Sequence, residues 1–202
     1  MFSWRPFLFL VIAMFACVRS LPAAEESPYV YLKLGAEWTM DAKLESPKGG
    51  ALPAIGRRVI EEGVEKDGKK YLRERTWLEV NGKRVGEYTK LVRKDDTGFY
   101  TIFEGQEDTV EKREIALPLK VGESWEFTMR DKVVKFTVIG FEAVTLGSKI
   151  YENCVHLRST AAEGKYVEDF WESPSEGSVK SEVSYGDGTK ITLTIKEFKA
   201  GK

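Results

Sequence analysis

The sequence predicts an all-β protein: a curved antiparallel meander sheet, or a barrel-like closure of one, with about ten strands and two pseudo-repeats. Three observations lead there. Apolar side chains recur with period two from Tyr29 onward, as in Trp125, Phe127, Met129 and in Ile191, Leu193, Ile195. Turn-forming pairs separate these runs. After the first thirty or so residues, no stretch carries an apolar stripe at helical spacing for as long as about ten residues.

The chain begins with Arg5, an apolar run from Phe7 to Val18, then Arg19-Ser20 and the small residues Pro22-Ala23-Ala24 before Glu25-Glu26. That order predicts a signal peptide at 1–24 and a single β domain at 25–202. The apolar run falls short of the ~20 residues that cross a bilayer, so no membrane span is expected once the leader is removed. Cys17 follows Met14-Phe15-Ala16, and bulky Phe15 stands where lipoprotein processing wants a small residue. The expected location is secreted or periplasmic.

The chain has 31 Lys and Arg against 32 Asp and Glu. Cleavage removes Arg5 and Arg19, so the mature domain is slightly acidic. Such a balance gives no pull toward nucleic acid. Cys154 is the one cysteine after the leader, so no internal disulfide forms and packing must hold the fold.

Strands are expected near 30–34, 36–45, 57–66, 70–80, 83–93, 98–104, 108–114, 123–130, 132–145, 150–159, 164–172, 177–185 and 189–198, some of them merging. Lys66-Asp67-Gly68-Lys69, Asn81-Gly82 and Gly186-Asp187-Gly188 read as hairpin turns, because Gly and Asn tolerate positive φ. Ser46 to Gly56, rich in Pro and Gly, reads as a loop.

An internal echo follows. Leu32-Lys33-Leu34-Gly35-Ala36-Glu37-Trp38 recurs as Leu119-Lys120-Val121-Gly122-Glu123-Ser124-Trp125. Tyr71 and Tyr151, and Gly98 and Gly177, fall at similar offsets downstream. Related halves at 30–114 and 117–198 are expected, each opened by a glycine turn and a tryptophan that enters the core.

The stretch Leu117 to Trp125 resembles the LP-x-x-x-G-x-x-W strand opener of small exported bacterial β-proteins of unknown function. Tyr151-Glu152-Asn153-Cys154-Val155 and Phe170 to Lys180 are similar to two further marks of that group. Ser175-Glu176 departs from the group's usual Gly-Val. The resemblance spans roughly 115–198 and its motifs are structural. It implies a distant architectural likeness to envelope lipoprotein carriers, whose curved sheet encloses an apolar concavity.

Reactive groupings are sparse. Cys154, His156 and Arg158 share one strand face, but two ligand types on one strand are too few for a metal. A cysteine nucleophile would also need an orienting group and an oxyanion site. The acidic pairs Glu61-Glu62, Asp95-Asp96, Glu107-Asp108 and Glu168-Asp169 read as surface or turn residues, since adjacent strand positions face opposite ways. Nucleotide, zinc-helix and nucleophile-elbow motifs are absent. No catalytic, cofactor-binding or metal residue and no cofactor is expected. The function expected is non-enzymatic: binding an apolar ligand or lipid in a concave face. The alternative is a structural or protein-interaction module of the cell envelope, with a lipid or an envelope protein as partner.

Overall fold

The computed structural model describes residues 31–105, 110–129, 132–161 and 164–202. The expected signal peptide and the Glu107-Asp108 pair lie outside the described residues. Twelve strands follow one another: β1 (Glu37–Glu45), β2 (Ala51–Lys66), β3 (Lys69–Val80), β4 (Lys83–Asp95), β5 (Gly98–Phe103) and β6 (Lys112–Ala116). Then come β7 (Ser124–Met129), β8 (Lys132–Leu146), β9 (Lys149–Ala161), β10 (Tyr166–Ser173), β11 (Gly177–Tyr185) and β12 (Lys190–Lys199).

They form one antiparallel sheet in the order β6-β5-β4-β3-β2-β1-β12-β11-β10-β9-β8-β7. Two six-strand meanders are thus joined where β1 pairs with β12, with Trp38 opposite Phe198. A sheet this wide curls, and its free edges, β6 and β7, approach each other. Trp125 bridges them by donating from Nε1 to the Glu114 carbonyl at 2.8 Å. The result is a nearly closed barrel.

Hairpin chemistry sets the register. Asp67 and Gly68 have φ of 51° and 72°, and Asn81 and Gly82 have 50° and 73°. Two successive positive φ values make the tight turn whose twist suits paired strands.

The echoed segments adopt the same local structure. Gly35 and Gly122 have φ of 81° and 83°. The Ala36 amide donates to Lys33 O at 3.1 Å, and the Glu123 amide donates to Lys120 O at 3.0 Å. The two glycine amides reach across to Ile60 O and Val138 O, at 2.8 and 2.9 Å. Trp38 and Trp125 each come second in their strands, Tyr71 and Tyr151 third, and Gly98 and Gly177 first.

Two expectations are corrected. Residues 51–56 are strand rather than loop, paired with β1 from Glu45↔Ala51 onward. Pro53 is tolerated because pairing of β2 with β3 begins only at Ile55, so the proline removes no donor from a ladder on that side. Residues 31–33 are not strand; Tyr31 and Leu32 instead pack against the core.

That core fills part of the barrel interior. Trp38, Ile60, Val92, Phe99, Ile115, Trp125, Phe136, Val138, Val155 and Leu157 form one cluster drawn from eight strands. Trp38 is 1% exposed, edges against Tyr31 and packs on Phe198. Its Nε1 donates to Glu176 O at 2.6 Å, so the indole's polar end is satisfied as its rings are buried. Cys154 is fully buried, and burial pushes its thiol up to about 11, well away from reactive thiolate character.

Candidate functional site

Above the core the barrel stays open. Residues from ten strands line a pocket of about 340 Å³. Phe99, Ile115 and Phe136 belong both to the core and to the pocket wall, so the core is its floor. Part of the lining is apolar, with Met40, Leu78, Val183, Ile191 and Leu193. Gly56 keeps that part clear: a Cβ there would stand 2.9 Å from Leu193 Cδ2 and 3.3 Å from Met40 Cβ.

Other parts of the lining are charged. Arg58 on β2, Glu74 on β3, Lys90 on β4, Glu114 on β6, and Glu168 and Glu172 on β10 all line the pocket. Register makes neighbours of them, since Glu74 stands opposite Lys90 on the adjacent strand. Arg58 Nη2 donates to Glu74 Oε2 at 2.7 Å. Lys90 Nζ lies 3.5 Å from Glu74 Oε1 and 3.2 Å from Glu114 Oε2. Thr101 Oγ1 donates to the same Glu114 oxygen at 2.6 Å. The Arg58 guanidinium rests over the Trp38 ring at 4.5 Å, tying this network to the core.

Burial alone would push Glu74 toward neutrality, but Arg58 and Lys90 outweigh it and hold the carboxyl below its ordinary value. Burial likewise opposes the charge on Lys90, and Glu114 and Glu74 overcome it, leaving the ammonium more firmly protonated than usual. Arg58, Glu74 and Lys90 therefore stay charged inside the barrel.

Glu168 and Glu172 are held differently. Glu168 accepts hydrogen bonds from Tyr166 Oη at 2.5 Å and Ser181 Oγ at 2.8 Å. Burial raises its pKa despite those donors. Glu172 is pushed up by burial to about 7, with Arg58 and a hydrogen bond from Ser178 only partly offsetting this. Hydroxyls, not cations, are their direct partners.

A pH dependence follows. The charged groups acting on Glu172 in the pocket are Arg58 on β2, Glu74 on β3 and Lys90 on β4. Glu172 binds its proton more tightly folded than unfolded, so its contribution favours folding below about pH 4.5. That contribution is lost as pH rises through 7. Chemical denaturation across pH 4 to 9 is expected to show Glu172→Gln without this loss. The variant should gain on the wild type by about 2–3 kcal/mol between the two ends of the range. Parallel curves for the two proteins would show that Glu172 is not buried against ionisation.

None of these lumen charges was expected from sequence. Glu168 in particular was read as a surface residue; it faces inward because β10 turns Tyr166, Glu168, Phe170 and Glu172 to one side. Only its neighbour Asp169 faces outward. There Asp169 Oδ1 lies 2.8 Å from His156 Nε2 and accepts from Arg158 Nε at the same distance. Glu142 lies 3.2 Å from His156 Nδ1, and Trp171 stacks on the imidazole with centroids 4.3 Å apart. Val155 and Leu157, on either side of His156, point into the core, so this cluster decorates the outer face. Among the described residues, no group of three or more His, Cys, Asp or Glu side chains is arranged to hold a metal ion.

Four converging carboxylates meet one requirement of acid–base chemistry. Two of them are occupied, however: Glu74 uses both oxygens on Arg58 and Lys90, and Glu114 meets Lys90 and Thr101. The histidine lies on the opposite face of the sheet.

No family model matches the chain, and no curated protein matches it. Solved structures do. A candidate exported protein with a YmcC-like fold, from Bacteroides fragilis, superposes with a TM-score of 0.54 at 12% identity, over 85% of this chain and 98% of that one. A candidate lipoprotein from Parabacteroides distasonis gives 0.41 at 11%, over 86% and 99%. A β-barrel-like protein of a domain of unknown function, from Brucella abortus, gives 0.44 at 12%, over 84% and 98%. The first of these shows that the chain shares the YmcC-like fold.

Proposed function

We propose that this is an exported, non-catalytic binding protein that carries a small amphipathic molecule inside its barrel. The observation behind this is the pocket itself: about 340 Å³ lined by both apolar and charged side chains. That volume is within the range of small-molecule sites, which are concave and apolar with a few placed polar groups. A purely apolar concavity was expected; the charged lining narrows the ligand to one with a polar end. Export is supported by the leader-like order of residues 1–24 and by the description of the Bacteroides neighbour as exported. Binding is favoured over catalysis because Glu74 and Glu114 are already engaged by lysine and arginine, and no histidine or cysteine is among the described residues that line the pocket.

Filling the pocket tests this. Ile191 belongs to the apolar lining and is only half-buried, so tryptophan there should occupy the lumen without disrupting the main core. Fluorescence titration with the neutral probe N-phenylnaphthylamine is expected to saturate with the wild type and to weaken at least about tenfold with Ile191→Trp. Equal titrations of the two proteins would place the probe elsewhere and refute a lumen site. Hydrolysis of a simple ester or glycoside by the wild type, lost in Glu172→Gln, would replace binding with catalysis.

A further inference from the structure

The lumen carries more acid than base, and the surplus has a direction. Its two central cations, Arg58 and Lys90, are paired with Glu74 and Glu114. Arg57 also borders the pocket, but its guanidinium donates to Thr39 and lies 3.8 Å from Glu79. The direct partners of Glu168 and Glu172 among the described residues are hydroxyls, and Arg58 and Lys90 act on them only at longer range. An anionic guest would have to break a buried ion pair to find a cation. A cationic guest would meet two carboxylates that no salt bridge among the described residues engages.

The walls agree with this sign. Tyr31, Tyr88, Phe136 and Phe170 border the same space. Aromatic faces are negative and attract ammonium groups most strongly when water is excluded. Phe170 stands between Glu168 and Glu172 on β10 and shares their face, so an aromatic ring flanks each carboxylate along this wall.

Resting on the reading of the lumen as a binding site, we propose that its ligand is an amphipath headed by a positively charged nitrogen, an amine or quaternary ammonium. The head sits on the β10 wall beside the Phe170 ring, paired with Glu168 or Glu172. The apolar tail runs along Met40 and Leu193.

Calorimetric titration of the full chain at pH 8 with three probes of equal tail separates the possibilities: octyltrimethylammonium, octanoate and octanol. The cation is expected to bind at least about tenfold more tightly than either other probe. Glu168→Gln combined with Glu172→Gln should abolish that preference, and a thermal melt checks that the variant is folded. Should the variant fail to fold, the wild-type ranking of the three probes decides alone. Equal affinities, or octanoate binding tightest, would overturn the cationic head while leaving a lumen site in place. No binding of any probe would overturn both.

Discussion

Replacing Glu74 with glutamine is expected to destabilise the protein by about 3–5 kcal/mol. The carboxylate is 2% exposed and is shared by Arg58 and Lys90 from the two flanking strands. An amide of the same shape fills the space but cannot neutralise either neighbour. Lys90 keeps Glu114, whereas Arg58 keeps its place over Trp38 and only the longer-range attraction of Glu172. Breaking a buried pair leaves a charge in low dielectric, a far larger cost than deleting a surface pair. For a domain of this size the melting temperature should fall by roughly 10 °C. The double variant Glu74→Met with Arg58→Met should recover much of the loss, because both members of the pair are then apolar. A melt of Glu74→Gln within about 2 °C of wild type would mean that water reaches this cluster and screens it.

Trp38→Ala should cost as much, about 3–5 kcal/mol, for a different reason. The indole is the largest fully buried side chain, and it lies beside the β1–β12 pairing that joins the two meanders. Truncation opens a cavity between Tyr31 and Phe198, strips the Glu176 carbonyl of its donor and removes the ring beneath Arg58. Trp38→Phe restores most of the volume but not the hydrogen bond, and should recover about half of the loss. Urea denaturation with matched slopes measures both variants. Trp125→Ala, whose residue is 8% exposed and sits at the seam, should cost less.

What could be read in advance follows from the range of each interaction. Strand alternation and turn chemistry act over a few residues, so the strands, the Asp67-Gly68 and Asn81-Gly82 hairpins and the two tryptophan anchors were legible. The closure was not: Trp38 meets Phe198, and Trp125 meets Glu114, through pairings that no local pattern encodes. The charged lumen was hidden for a related reason. A glutamate between Tyr166 and Phe170 reads as solvent-facing when strands are considered singly. Only the assembled barrel shows that Arg58, Glu74 and Lys90 from three adjacent strands face the acids of β10 across one space. The visible hint was the mixing of acids with aromatics on a single strand face at 166, 168, 170 and 172.

A lumen that carries cargo in its native setting should still hold that cargo when the protein is isolated gently. Native mass spectrometry of the wild type and Ile191→Trp, both purified from the protein's own host, tests this most directly. The account predicts one small, positively charged molecule per wild-type chain, released on activation and missing from Ile191→Trp. The bare polypeptide mass for both proteins, or the same adduct on both, would contradict it.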